Sequence, residues 1–137
     1  MSEEIRDGSC LCGAVRYRTA WPPKALMACH CRNCQKQSGS ALSVIAIVAR
    51  DDLTLTGNMA MFEDTSETGG AVYRYFCASC GSPLVTETPA ARDDGISFIK
   101  AGTLDKTDDL DPSVHIWTRR AQKWLPFPEG VLCLQEQ

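Results

Sequence analysis

Seven of the eight cysteines in this chain fall into three tight clusters, Cys10-Leu11-Cys12, Cys29-His30-Cys31-Arg32-Asn33-Cys34 and Cys77-Ala78-Ser79-Cys80. Short spacings of this kind are metal geometry, because neighbouring thiolates converge on a single ion. Four soft ligands close a tetrahedral zinc site and three leave a position open, so seven clustered cysteines read as one closed site and one open site. Any fold that satisfies this count has to bring distant parts of the chain onto shared ions.

That reading needs the thiols to stay reduced. The opening segment Met1-Ser2-Glu3-Glu4-Ile5-Arg6-Asp7 is charged and lacks the apolar stretch of a secretory signal. The most apolar run, residues 41–49, is interrupted by Ser43 and stops at Arg50-Asp51-Asp52, short of the roughly 20 residues a bilayer requires. A soluble, cytoplasmic protein with no membrane partner is expected, and there close cysteine pairs point to metal rather than to a set of disulfides. A length of 137 residues suits one domain, taken as 1–137, whose core needs no crosslinks. Lys and Arg number 14 against 17 Asp and Glu, a formal charge of −3, so the chain lacks the basic balance that phosphate backbones reward and no nucleic-acid partner is expected.

Apolar alternation recurs in short segments: Ala14-Val15-Arg16-Tyr17-Arg18, Leu53-Thr54-Leu55-Thr56, Val72-Tyr73-Arg74-Tyr75-Phe76 and Ile96-Ser97-Phe98-Ile99-Lys100. Period two with branched and aromatic residues predicts strands, and the architecture is expected to be mainly β. Turn signals separate them at Trp21-Pro22-Pro23, Thr56-Gly57-Asn58, Thr68-Gly69-Gly70, Gly81-Ser82-Pro83 and Asp93-Asp94-Gly95, the last suiting a tight hairpin. Residues 42–48 have no consistently polar side and predict a strand buried on both faces. Helix is expected only over 31–38, with a short turn near 107–110.

In a strand, residues i and i+2 project from one face, so Cys10 and Cys12 offer two sulfurs to one ion. Cys77 and Cys80 have knuckle spacing, and Gly81 supplies the left-handed backbone on which such a loop turns. Together they make a four-thiolate site that clips the N-terminal segment to the middle of the chain. The alternative pairs Cys77 and Cys80 with two sulfurs of the middle cluster. Cys29, Cys31 and Cys34 form a tripod with a free fourth position. Three thiolates make zinc a poor hydroxide generator but a good partner for a soft ligand such as a substrate thiol, which would bind as thiolate. Against this stands a second closed site completed by Cys133 or a histidine, although Cys133, in Val131-Leu132-Cys133-Leu134, reads as a small buried hydrophobe. The side chain of His30 is expected to point away from the face its neighbouring cysteines share. His115 reads as a core histidine, a pocket residue or an acid/base. Arg119, Arg120 and Lys123 form a basic group that either is solvated or meets the carboxylates of an anionic substrate.

The segments Gly8-Ser9-Cys10-Leu11-Cys12-Gly13, Cys29-His30-Cys31-Arg32-Asn33-Cys34-Gln35-Lys36-Gln37-Ser38-Gly39, Phe76-Cys77-Ala78-Ser79-Cys80-Gly81 and Gly102-Thr103-Leu104-Asp105 resemble the glutathione-dependent formaldehyde-activating enzyme and centromere protein V (GFA/CENP-V) family, over residues 8–124. The resemblance implies an Mss4-like fold of several small coiled antiparallel sheets stapled by two zinc ions per chain. It implies that Cys10, Cys12, Cys77 and Cys80 hold a structural zinc and Cys29, Cys31 and Cys34 a catalytic one. The implied activity is that of a carbon–sulfur lyase acting on a small thiol or glutathione adduct of the S-hydroxymethylglutathione type. Candidates for the accompanying acid/base are His30, His115, Ser38 and Ser40. The alternative is a non-catalytic zinc-binding protein-interaction module of the same fold.

Overall fold

The computed structural model describes residues 4–136, so Met1, Ser2 and Glu3 of the opening segment lie outside it. Strands β1 (Glu4–Ser9), β2 (Arg16–Trp21) and β5 (Leu53–Thr56) form a three-stranded antiparallel sheet in the order β1-β2-β5. The other strands are β3 (Ala25–Cys29), β4 (Ser43–Ala49), β6 (Met59–Thr65), β7 (Ala71–Cys77), β8 (Pro83–Glu87), β9 (Ile96–Lys100), β10 (Val114–Ile116) and β11 (Leu132–Cys133). They make an eight-stranded sheet in the order β11-β10-β3-β4-β9-β8-β7-β6. The chain is mainly β, as its alternation predicts. Its pairing is antiparallel except at one edge, where β10 runs parallel to both β3 and β11. Among the described residues no helix is long and apolar enough to cross a membrane.

Period two decides what each strand of the large sheet does. On β4, Ala46 and Val48 enter a core shared with Val15, Tyr17, Leu84, Ile99 and Leu104, while Ile45 and Ile47 line a cavity on the opposite face. This corrects the expectation of a strand buried on both faces: β4 is central and apolar throughout, but its second face is the wall of a cavity. On β9 the same alternation sends Ile99 into the core and Ile96, Phe98 and Lys100 to the cavity. Register aligns these positions, with Met27 opposite Ile45, Ile45 opposite Lys100, and Ile47 opposite Phe98.

Helix α1 (Arg32–Ser38) follows β3 and matches the expected helix, with Cys31 as its N-cap. Residues 107–110 form a single turn, closed by the Leu110 N–H donating to the Thr107 carbonyl at 3.2 Å. A second helix, α2 (Pro89–Asp93), was not expected. Asp93-Asp94-Gly95 therefore ends this helix rather than forming a two-residue hairpin, and the Gly95 N–H donates to the Arg92 carbonyl at 3.2 Å.

Candidate metal centres

Four sulfurs meet where the two sheets come together. Cys10 and Cys12 lie beyond the end of β1, in the turn that leads to β2, and not within a strand as expected. Their convergence comes from the turn: the Gly13 N–H donates to the Cys10 carbonyl at 3.1 Å, and Gly13 has a φ of +81°. The second pair repeats the device, with the Gly81 N–H donating to the Cys77 carbonyl at 2.9 Å and a Gly81 φ of +80°. Such angles cost a β-carbon-bearing residue free energy that glycine does not incur.

All four sulfurs lie within 4.8 Å of one another, with Cys10–Cys12 at 3.6 Å and Cys12–Cys77 at 3.8 Å. Zinc–sulfur bonds of about 2.3 Å in a tetrahedron place sulfurs roughly 3.8 Å apart, so the cluster has the dimensions of a thiolate metal site. Backbone N–H groups support the thiolate form. Val15 donates to the Cys10 sulfur at 3.2 Å, and Ser79 and Cys80 donate to the Cys77 sulfur at 3.3 and 3.4 Å. The Ser82 hydroxyl, 3.2 Å from the Cys80 sulfur, and the Ser82 backbone lower that thiol to about 5. Cys10 and Cys77 belong to the main core, so this centre is built into the packing.

The second cluster sits on the β3–α1 junction. Cys29 ends β3, Cys31 caps α1, and Cys34 lies in the first turn, where its N–H donates to the Cys31 sulfur at 3.2 Å. The three sulfurs lie within 4.8 Å of one another, and neither a histidine nor Cys133 shares the group. Hydrogen bonds from the Cys29 and Cys31 thiols pull Cys34 well below the ordinary thiol range, helped by the charges of Lys100 and Arg74. Hydrogen bonds to its two partners, together with burial, push Cys29 up. Three converging sulfurs, one of them favoured as the thiolate, make a donor set that suits a soft cation.

This tripod opens on the cavity behind β4 and β9, which has a volume of about 1070 Å³. Two buried cations line it. The guanidinium of Arg74 spans from Cys34, 3.9 Å away, to Asp64 at 2.9 Å. Asp64 also accepts from the Asn33 amide at 3.1 Å, which ties α1 to the β6–β7 hairpin. Lys100 is 6% exposed, and its ammonium donates to the Ser43 hydroxyl at 2.8 Å. Burial lowers the Lys100 pKa, while the nearby Cys34 thiolate works to hold it up.

The four acid/base candidates lie elsewhere. His30 is wholly buried and shares a 2.9 Å hydrogen bond between its Nε2 and Nδ1 of His115, with Phe127 edge-on to both rings. Neither ring lines the cavity. The Ser38 hydroxyl donates to the Leu42 and Gln35 carbonyls at 3.3 and 3.4 Å, and Ser40 lines a separate shallow depression with Lys36 and Trp124. Lys100 was missed, although a signal existed: in the alternation Ile96-Ser97-Phe98-Ile99-Lys100 it falls on the apolar face, where a charge needs a reason. Arg119 and Arg120 are paired with Glu67 at 3.3 and 2.5 Å rather than standing as a free basic group. Cys133 is exposed on the edge strand β11, contrary to the expectation of a buried hydrophobe, because an edge strand of two residues leaves its side chain uncovered.

The family model of the glutathione-dependent formaldehyde-activating enzyme matches residues 5–120. Relatives provisionally named as that enzyme include one from Halomonas elongata, 34% identical over 85 residues that cover 58% of this chain and 54% of the relative. Another, from Aspergillus flavus, is 29% identical over 86 residues, covering 62% of this chain and 44% of the relative. The chain thus spans about half the length of these curated relatives. A crystal structure of a Rhodobacter sphaeroides protein superposes with a TM-score of 0.58 at 18% identity, covering 75% of this chain and 91% of the other, and shows the likeness of fold alone.

Proposed function

The chain belongs to the glutathione-dependent formaldehyde-activating enzyme family, and on that footing we propose that it is a zinc-dependent carbon–sulfur lyase that joins a small thiol to an aldehyde and releases it again, as with glutathione and formaldehyde. The observation that carries this reading is a three-sulfur cluster opening onto a cavity that also holds a buried lysine. In this reading Cys10, Cys12, Cys77 and Cys80 hold a structural zinc and Cys29, Cys31 and Cys34 a second one. A zinc ion held by Cys29, Cys31 and Cys34 would favour the thiolate form of a substrate thiol.

The chain's own residues then account for the proton. As the carbon–sulfur bond forms, the carbonyl double bond becomes a single bond and its oxygen needs a donor. Lys100, fixed by Ser43 and facing the tripod's cavity, is placed to give that proton and to take it back when the adduct breaks. Arg74 orients the tripod through Cys34 and holds Asn33 and Asp64 in place.

Exchange spectroscopy on glutathione and formaldehyde measures the rate of adduct formation directly. Acceleration over the uncatalysed exchange, lost in Cys34→Ser, is the expected result; a rate equal to buffer sinks the lyase reading. A cobalt-loaded tripod whose spectrum shifts on adding thiol is the companion observation, and indifference to thiol would favour a closed, non-catalytic module.

A further inference from the structure

The wall facing the tripod is a sheet surface of hydrocarbon. Met27, Ile45, Ile47, Ile96 and Phe98 come from three adjacent strands and stand side by side in register, with Ile47 directly opposite Phe98 and Met27 opposite Ile45. Each is only half-buried, although it lies at the centre of the largest sheet rather than at an edge. A one-carbon aldehyde is close in size to water, whose share of volume is about 30 Å³, whereas this cavity has about 1070 Å³. Pockets of roughly 300–1,000 Å³ take drug-sized ligands.

The polar groups of the cavity do not change that reading. Arg74 is committed to Asp64, Arg120 to Glu67, and Lys100 to Ser43 beside the tripod. Arg32, exposed at the cavity's lining, meets the neutral amide of Gln35 and no carboxylate among the described residues, and so is free to face a substrate carboxylate. The floor of Ile47, Ile96 and Phe98 is itself hydrocarbon, bordered by Asp94 and by the Thr86 hydroxyl, which has no hydrogen-bond partner among the described residues.

We infer that the adduct handled at this site carries an apolar chain or ring of several carbons, lying on the floor made by Ile45, Ile47 and Phe98 while its sulfur is held at the tripod. The inference rests on the lyase reading above and narrows its substrate. The chemistry is an addition: the thiol S–H and the aldehyde C=O give an S–C bond and an O–H, with no oxidant or reductant. The chain belongs either to the aldehyde or to the thiol, and the two are separable by experiment.

Three pairs are compared by exchange spectroscopy on the zinc-loaded protein: formaldehyde with glutathione, hexanal with glutathione, and formaldehyde with hexanethiol. Binding of S-hexylglutathione is compared with that of S-methylglutathione by calorimetry. The expected result is a kcat/KM that rises about threefold to fourfold per buried methylene in one of the six-carbon pairs, whichever partner bears the chain, with the hexyl thioether binding at least tenfold tighter than the methyl one. In Ile47→Trp, and independently in Met27→Phe, the preference for six carbons over one falls at least tenfold. Turnover of formaldehyde and glutathione with no gain from either chain, and equal binding of the two thioethers, overturns the inference and leaves the lyase reading standing. No acceleration for any pair overturns both.

Discussion

Two buried groups have charge states that decide testable behaviour. His30 and His115 share one hydrogen bond, and burial lowers the pKa of each below the ordinary histidine value, with the neighbouring ring adding to the effect at His30. Their protonation therefore favours the unfolded chain. The penalty is absent above the unfolded value near 6.5 and grows as pH falls below it toward the depressed folded value. Urea midpoints of the zinc-loaded protein should decline from pH 7 to pH 5.5, and His115→Phe should flatten that slope; an unchanged slope in the variant refutes the assignment. Lys100 is the other. Lys100→Met keeps most of the volume and removes the donor, so kcat should fall by about 10²–10⁴ with little change in melting temperature. A kcat near wild type would remove Lys100 from the chemistry.

At the scale of elements, local chemistry sets which turns and helices form. Helix α2 has five residues, too few to display a 3.6-residue period, which is why alternation and spacing did not reveal it. Its signals are Thr88, whose hydroxyl accepts from the Ala91 N–H at 3.0 Å, and Pro89 at the first helical position. Thr88→Ala should cost about 1 kcal/mol, read from the urea midpoint, while Thr88→Ser should restore most of it. Strand β5 was legible because it alternates cleanly over its length, and β7 and β9 because branched and aromatic residues recur in them with a partial period of two. The placement of Cys10 and Cys12 was not, since a Cys-x-Cys pair converges equally in a strand and in a turn, and only the left-handed Gly13 that follows distinguishes the two. The cavity was hidden for a related reason. Ile45 and Ile47 are as apolar as core residues, so sequence does not say whether the face they share meets another layer or open space, and Lys100, like Arg74 on β7, is a discordant residue on that face.

On the proposed function the two clusters have different jobs in the whole molecule. The four-sulfur centre joins the β1–β2 turn to the β7–β8 turn, and so couples the small sheet to the large one through the core. Structural zinc sites in finger peptides contribute about 10–16 kcal/mol of apparent binding free energy, comparable with the roughly 5–15 kcal/mol by which native proteins are stable. Cys80→Ser should therefore lose one equivalent of zinc and cooperative melting together. Cys34→Ser should lose the other equivalent and turnover but melt cooperatively near wild type; metal analysis with thermal scans separates the two, and equal damage from both would erase the distinction. Cys133, uncovered on β11 and outside both clusters, bears on the same measurement. With both centres loaded it is the thiol an alkylating reagent should reach first, and mass spectrometry should find a single adduct per molecule. Further adducts would then appear only as a centre gives up its ion, beginning with exposed Cys12, so the number of labels on each intact molecule becomes a molecule-by-molecule gauge of metal loading that needs no metal assay.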